Sequence, residues 1–399
     1  MQLNRLVLRV LWSLAIAVNV AGCSSLGQAA STPATILPSM QRSSAHSAGP
    51  QGAVVEFAYV VNAGSSSVSA YAIDQSSGAL KQVKGSPFST GSGPWAVAID
   101  PAGKFAYVVN GGSDNVSGYT INASTGALTQ MEGSPFTAGS EPIGLAIDPT
   151  GKFAYAVNDL STDVSAYTIN SSTGALTQVK GSPFPAEYGA YEVAVDPAGK
   201  FAYVTNSESS DVSAYAINAS TGALTPLQGS PFGVEINPTG IAIGPKAEVA
   251  YVVSTADDNI AAYAINPTSG AWTQVKGSPF LAGGFPDGLV LDPTGTFAYA
   301  SNSDSNNISA YAIDASNGAL TQLKRSPFAA GTNPQTGAID PRGKFAYMPD
   351  EESNLVSAYK IETNGDLKRV KGPPISTGDG PLSIATCRVT HGACVPPPL

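Results

Sequence analysis

Apolar residues along this chain recur in short alternating runs, and the runs repeat at a fixed spacing of 48 residues. In seven copies an aromatic or branched apolar residue is followed two places later by tyrosine, at Phe57/Tyr59, Phe105/Tyr107, Phe153/Tyr155, Phe201/Tyr203, Val249/Tyr251, Phe297/Tyr299 and Phe345/Tyr347. A second tyrosine keeps the same period, at Tyr71, Tyr119, Tyr167, Tyr215, Tyr263, Tyr311 and Tyr359. Residues 53–390 therefore predict one domain built from seven equivalent units.

Each unit predicts four short strands, because alternating apolar residues are separated by turn residues. In the unit from Pro94 to Gly139 these strands are Trp95 to Asp100, Phe105 to Asn110, Val116 to Ile121 and Ala127 to Glu132. A sheet of this size cannot bury both of its apolar faces alone, so the units must stack face to face. Seven stacked sheets can close into a ring, and the predicted fold is an all-β, seven-bladed β-propeller.

The two ends of the chain are predicted to meet in one blade. The first unit begins at its second strand with Phe57 and has no first strand before it. The segment from Pro381 to Thr386 aligns with the segment from Pro94 to Ile99, so the C-terminal segment is expected to supply the innermost strand of the first blade. This pairing would remove an open sheet edge.

Composition agrees with strands and tight turns, since only 12 % of the residues are charged while the chain has 42 Gly and 30 Pro. The net charge is −9, and the acidic residues are unevenly placed. Chain direction puts the connections between second and third strands, and those between blades, on one face, which we call the upper face. We assign it 17 of the 29 acidic residues and no Lys or Arg: Asp114, Asp159, Asp163, Glu208, Asp211, Asp257, Asp258, Asp304, Asp350, Glu351, Glu352, Glu141, Glu187, Glu192, Glu235, Asp287 and Asp379.

A negative upper face repels anions. It argues against nucleic acid and against a phosphorylated ligand, both of which need Arg or Lys. A simpler explanation of the same charges remains open, since Asp, Asn and Ser favour turns and keep a protein soluble.

The N-terminal segment has the pattern of an export signal, with Arg5 and Arg9 before an apolar stretch. The segment from Val20 to Cys23 resembles a bacterial lipobox. We expect residues 1–22 to be a signal peptide, Cys23 to be lipidated, and residues 23–52 to be a disordered tether that holds the protein at the bacterial cell envelope. The alternative is an ordinary signal peptide or membrane anchor with an incidental cysteine.

The other two cysteines, Cys387 and Cys394, lie near the C-terminus. In an exported chain they predict a disulfide. It would pin the tail, residues 391–399, to the ring.

The segments Tyr203-Val204-Thr205-Asn206 and Asp100-Pro101-Ala102-Gly103-Lys104 resemble those of YVTN-repeat propellers and of the related seven-bladed lactonases, similar to 6-phosphogluconolactonase. The resemblance implies a catalytic His in the first strand and an acidic residue after the second. The corresponding first-strand residues are Ala96, Gly144, Glu192, Gly240, Gly288, Thr336 and Ser383. None is His, and the two histidines of the chain, His46 and His391, lie outside the repeats. Among the residues that follow the second strand of each repeat, only Asp159 and Glu351 are acidic.

The connection from Pro185 to Glu192 differs from the equivalent connections of the other repeats, because it contains two additional tyrosines. Aromatic rings and carboxylates together can bind a sugar, although drift of the loop without function explains the same residues. The predicted ligand-binding residues are Tyr188, Tyr191, Glu192, Glu141, Glu235 and Asp287. Glu192 and Glu141 are the weak catalytic candidates.

A cation site has little support in the sequence, because no Asp-x-Asp-x-Asp-Gly loop is present. The weak candidates are Asp257, Asp258, Asp350 and Glu351. We expect no cofactor.

Two functions compete on this pattern. The first expectation is a lipid-anchored, monomeric propeller that binds a protein, glycan or cation without catalysis, because the repeats are nearly identical and the His is missing. The alternative is a lactonase-like hydrolase, a carboxylic-ester hydrolase related to 6-phosphogluconolactonase. A structural surface-layer component is a third possibility.

Overall fold

The structure is a computed structural model that describes residues 55–246, 248–390 and 393–396. The predicted signal peptide, Cys23 and the tether to residue 52 lie outside the described residues. No helix in the described part of the chain is long and apolar enough to cross a membrane.

Seven antiparallel sheets form the blades of the predicted propeller, and each is named by its place along the chain. Strand A is innermost, and in blades 1 to 7 it spans Pro381–Thr390, Pro94–Ile99, Pro142–Ile147, Ala190–Val195, Pro238–Ile243, Pro286–Leu291 and Ala338–Ile339. Strand B spans Glu56–Asn62, Phe105–Asn110, Phe153–Asn158, Phe201–Asn206, Val249–Ser254, Phe297–Asn302 and Phe345–Asp350. Strand C spans Ser67–Ile73, Asn115–Ile121, Asp163–Ile169, Asp211–Ile217, Asn259–Ile265, Asn307–Ile313 and Leu355–Ile361.

The outer strand of each blade is divided into two short pieces, which differs from the single strand predicted. Strand D spans Leu80–Gln82, Leu128–Gln130, Leu176–Gln178, Leu224–Pro226, Trp272–Gln274, Leu320–Gln322 and Leu367–Arg369. Strand D′ spans Phe88–Ser89, Phe136–Thr137, Phe184–Pro185, Phe232–Gly233, Phe280–Leu281, Phe328–Ala329 and Ile375–Ser376. Both pieces pair with strand C. In blade 2 the interruption contains Gly133, with φ of 83°, and Pro135, which has no N–H for the ladder.

Tyrosine hydroxyls join neighbouring blades around the whole ring. In each blade the strand B tyrosine is buried, and its hydroxyl donates to the carbonyl of a glycine in the C-to-D turn of the next blade. The pairs and distances are Tyr59–Gly126 3.1 Å, Tyr107–Gly174 2.7 Å, Tyr155–Gly222 3.1 Å, Tyr203–Gly270 2.9 Å, Tyr251–Gly318 2.9 Å, Tyr299–Gly365 3.0 Å and Tyr347–Gly78 3.0 Å. The seventh pair returns to the first blade, so the set forms a closed circle.

The turn glycine is required for this contact. Gly222 has φ of +74°, and a Cβ atom added there would overlap the ring of Phe153 in the preceding blade. The Phe and Tyr of one strand B therefore enclose the turn of the next blade.

The strand C tyrosines reach in the opposite direction. In six blades the hydroxyl donates to a strand D′ carbonyl of the preceding blade, from Tyr71, Tyr119, Tyr167, Tyr215, Tyr311 and Tyr359. The ring of the seventh, Tyr263, stacks on Trp272 with 5.0 Å between ring centroids. Tyrosine hydroxyls therefore link the blades in both directions at six of the seven interfaces, whereas Tyr263 and Trp272 belong to the same blade.

The ring closes as predicted, because Pro381–Thr390 pairs with strand B of blade 1. The strand continues to Thr390 and pairs with a further strand, Ala393–Val395, so part of the predicted tail joins the sheet. The predicted disulfide joins Cys387 and Cys394 across this hairpin. The amide of Cys394 donates to the Gly103 carbonyl at 2.9 Å, which fixes the hairpin to blade 2.

A buried ion cluster lies at the same closure. Arg342 Nε is 2.8 Å from the carboxylate of the fully buried Glu56 and 3.0 Å from Asp340, while Arg388 Nε is 3.7 Å from Glu56. Burial raises the pKa of Glu56, and the charge of Arg342 opposes that shift. The cluster links blade 7 to blade 1 through side chains.

The turn contact can be tested with three substitutions. Gly222→Ala is expected to reduce the free energy of unfolding by roughly 2–5 kcal/mol, since it combines a positive φ with overpacking. Tyr155→Phe should cost about 1–3 kcal/mol, because the buried Gly222 carbonyl loses its donor. The control is Gly233→Ala, because no atom lies within 4 Å of an added Cβ there. Urea unfolding measures all three, and a Gly222→Ala cost no larger than that of the control would contradict the packing described.

Candidate functional site

The upper end of the central channel is formed where the A strands begin and the B strands end. Loops of the upper face surround this opening. Glu192, predicted both in a first strand and in the connection before it, lies within strand A of blade 4. Asp287, predicted in a connection, lies within strand A of blade 6. The candidate site is therefore built on the inner wall of the ring.

Glu192 crosses from one blade to the next. Its strand has a register shift between Ala190 and Val193, and its amide donates to Thr205 Oγ1 at 3.0 Å. Its carboxylate oxygen Oε2 accepts a hydrogen bond of 2.9 Å from the amide of Ile241 in strand A of blade 5. The carboxylate is thus fixed by an N–H of an inner strand.

Small residues surround Glu192 at the same level of the ring. The six equivalent residues are Ala96, Gly144, Gly240, Gly288, Thr336 and Ser383. A Cβ added to Gly144 would lie 2.7 Å from the Tyr191 carbonyl oxygen, and one added to Gly240 would lie 3.1 Å from that of Asp287. The inner strands approach closely at these glycines. Glu192 is the one acidic side chain at this level of the inner wall.

The environment of Glu192 brings the pKa of its carboxyl close to neutral pH. Burial raises its pKa to about 7, the negative charge of Asp287 acts in the same direction, and the hydrogen bond from Ile241 opposes both. A carboxyl with this pKa is substantially ionised at neutral pH yet is a stronger base than an ordinary glutamate. These properties suit a general acid–base group.

A chain of buried threonine hydroxyls supports this region. Thr239 Oγ1 and Thr255 Oγ1 are 2.6 Å apart, and Thr255 donates to the Pro286 carbonyl at 2.9 Å. Thr205 Oγ1 donates to the Thr239 carbonyl at 3.2 Å. The chain joins blades 4, 5 and 6, which hold Glu192 and Asp287.

A second group of carboxylates lies over blades 3 and 4. Burial raises the pKa of Asp159 to about 6, and the charges of Glu141 and Glu208 add to the shift. The amide of Asp159 donates to the Glu141 carbonyl at 3.0 Å. A Cβ added to Gly111 would lie 2.9 Å from the Trp95 ring and 3.4 Å from Glu141 Cγ, so both side chains lie close to Gly111.

The predicted ligand-binding residues fall into separate places. Glu192 and Asp287 interact, and half-buried Tyr191 precedes Glu192 in the same strand. Glu141 belongs to the group over blades 3 and 4, while Tyr188 is 68 % exposed on its loop. Glu235 lies near Tyr263 of strand C, where burial raises the pKa of the phenol to about 12 and the charge of Glu235 adds to the shift. The structure therefore brings Glu235 to strand C rather than to Glu192.

The weak cation candidates have partners within the fold. Asp257 accepts from the amide of Ile236 and Asp258 from that of Phe285, both at 2.8 Å. Asp350 accepts from Ser357 and Gly331, and Glu351 accepts from Asn333. Among the described residues, no group of three or more His, Cys, Asp or Glu side chains could hold a metal ion.

Sequence reasoning did not place Asp159, Glu208, Trp95 or the threonine chain in the site. Asp159 could have been recognised from the sequence, because it is one of the two acidic residues that follow strand B. Thr205 could have been recognised as well, because it replaces the Val found there in blades 1 to 3 and 5. Trp95 and Glu208 gave no signal, since their neighbours come from other blades.

The family model described as "Lactonase, 7-bladed beta-propeller" matches residues 32–233, 86–285, 139–333 and 241–381. The chain belongs to this family. The resemblance expected from the repeat motifs is thereby confirmed. A comparison with curated proteins gives no match.

Solved structures share the fold at low sequence identity. A putative 6-phosphogluconolactonase from Bacteroides fragilis is 18 % identical, with a TM-score of 0.74, and the match covers 85 % of this chain and 99 % of that one. The periplasmic gluconolactonase of Pseudomonas aeruginosa is 19 % identical, with a TM-score of 0.70, and the match covers 84 % of this chain and 99 % of that one. Family membership favours the lactonase-like alternative over the first expectation of a non-catalytic module.

The link between Asp287 and Glu192 can be tested by titration. Asp287→Asn is expected to lower the pKa of Glu192 from about 7 towards the ordinary glutamate value, because it removes a like charge. Carbon NMR of labelled glutamate carboxyls measures this, with Glu192→Gln assigning the signal. Glu235→Gln removes a charge from the same face near Tyr263 and should leave the Glu192 titration unchanged. An equal response in both variants would contradict the arrangement.

Proposed function

We propose that this protein hydrolyses an uncharged lactone at the upper end of the channel, with Glu192 as general base. The observation that supports the proposal is a single carboxylate, fixed by the Ile241 amide and with a pKa of about 7, on an inner wall otherwise lined at that level by small residues. Membership of the lactonase family supports the reaction class.

The reaction requires one base that also returns a proton. Because Oε2 accepts from Ile241, Oε1 of Glu192 is the oxygen that would take a proton from water. The water oxygen bonds to the lactone carbonyl carbon, and the tetrahedral intermediate collapses with cleavage of the ring C–O ester bond. The Glu192 carboxylic acid then gives its proton to the departing alkoxide. The product is an open-chain hydroxy acid, which ionises in solution.

The carboxylate would replace the imidazole implied by the family resemblance. A free imidazole titrates near pH 6.5, and burial brings the Glu192 carboxyl to a similar value. Both groups could act as a general base near neutral pH. Imidazole does so in its neutral form, whereas glutamate does so in its ionised form.

The proposed substrate is a neutral, hydroxylated lactone. No Lys or Arg occurs in the loops of the upper face, so a phosphate group would lack a cationic partner and would meet several carboxylates. Hydroxyl groups can donate to Glu141 and Asp159, and Trp95 and Tyr191 offer aromatic surface near the opening.

Glu192→Gln is expected to reduce kcat for an uncharged sugar lactone by about 10²–10⁴-fold, the usual contribution of a general base. Glutamine keeps an oxygen that can accept from Ile241, so the fold should persist. In the wild-type protein kcat/KM should fall as pH drops below about 7, because Glu192 must be ionised to act as a base. A pH-stat assay of acid release measures both effects.

Glu187→Gln is the matched control, since it removes a carboxylate from the loop that leads into the strand of Glu192 and should retain activity. Turnover that is equal in the wild-type protein and Glu192→Gln would refute the assignment. Binding of a glycan without any turnover would instead support a non-catalytic module.

We also propose that the protein is lipid-anchored in the bacterial cell envelope through Cys23, which the segment from Val20 to Cys23 supports. Full-length protein expressed in a bacterium that processes lipoproteins should incorporate labelled palmitate and fractionate with membranes. Cys23→Ser should abolish the label, whereas Cys394→Ser should retain it. Absence of label in the wild-type protein would contradict the proposal.

A further inference from the structure

Blade 5 lacks the aromatic ring that begins strand B in the other six blades. The residue there is Val249, whereas the other blades have phenylalanine. In the neighbouring interfaces the ring packs on the turn glycine of the next blade, as Phe201 does on Gly270 and Phe297 on Gly365. Between blades 5 and 6 the smaller Val249 side chain contacts the equivalent Gly318 in place of a phenyl ring.

A pocket of about 420 Å³ opens at this interface, on the face opposite to Glu192. Its apolar wall is formed by Val249, Tyr251, Leu291 and Ile313, and Gly318 lies at its side. Ligand pockets generally fall between roughly 300 and 1,000 Å³, so the space suits a small molecule.

The adjoining A-to-B turn has also lost a fixed contact. In blade 4 the Asp196 carboxylate accepts from the amides of Lys200 and Phe201, at 2.6 and 2.7 Å. The equivalent residue in blade 5 is Gly244, which has no such carboxylate. Lys246 and Glu248 of this turn are exposed at the rim of the pocket, where they offer a hydrogen-bond donor and an acceptor.

We propose that this pocket binds a small aromatic compound whose phenyl-sized ring takes the place of the missing phenylalanine and whose polar substituent lies at the rim. The ring would lie beside the Val249 methyl groups, which contact the Gly318 turn, and against the Tyr251 side chain that donates to the Gly318 carbonyl. A hydroxyl substituent would meet Lys246 or Glu248. This site is separate from Glu192 and does not depend on the proposed hydrolysis.

Fluorine NMR with 4-fluorophenol tests the proposal on the full-length protein. The wild-type protein should bind the probe saturably, and Val249→Phe, which restores the residue of the other blades, should weaken binding at least tenfold. Val249→Ala leaves the pocket open and should retain binding. No saturable binding by the wild-type protein, or equal binding by Val249→Phe, would overturn the proposal.

Methyl NMR of the wild-type protein gives a test that needs no variant to fold. The probe should shift the methyl signals of Val249, Leu291 and Ile313. The equivalent residues at the interface of blades 1 and 2, Ile99 and Ile121, lie beside Phe57 and should not shift. Equal shifts at both interfaces would show non-specific binding and overturn the proposal.

Discussion

The contact between a strand B tyrosine and the turn glycine of the next blade is the interaction on which the rest of this structure depends. The hydroxyl is buried where no water can replace a lost partner, so an unpaired group would carry the full cost of desolvation. Burial raises the pKa of Tyr155 and of its equivalents, which keeps the phenol a neutral donor under ordinary conditions. Because the contact requires the next blade to be in place, no blade is complete alone.

That dependence makes closure of the ring a structural necessity. Tyr347 in the seventh blade needs the Gly78 carbonyl of the first, and strand B of the first blade needs the strand supplied by Pro381–Thr390. The Arg342 cluster and the disulfide between Cys387 and Cys394 lie at this one junction. Among the described strands, this junction is the only place where neighbouring strands of a blade come from opposite ends of the chain, so additional links there limit opening of the ring.

The sequence predicted the blades and their closure because both follow from a period that can be counted. It also predicted the disulfide, because Cys387 and Cys394 were the two cysteines left beside the expected lipidation site Cys23. It missed the division of the outer strand, because local turn residues such as Gly133 and Pro135 outweigh the apolar alternation. The sequence also did not predict the hydrogen-bond partners of Glu192. Ile241 lies 49 residues away from Glu192. Its amide can donate to Glu192 because it lies on the side of the inner strand that does not pair with strand B.

A symmetric ring presents seven equivalent positions, whereas a reaction needs one group that differs from its neighbours. On the inner wall six of the equivalent positions hold small residues, and the inner strands approach closely at Gly144, Gly240 and Gly288. A long side chain at the remaining position must then lie against the next blade, where the edge amide of Ile241 fixes it and low solvation raises its pKa. The close packing that makes the repeat stable therefore also turns one substitution in the repeat into a group with unusual chemistry. The same reasoning applies to Val249, where a tightly packed interface converts the loss of one ring into a defined pocket.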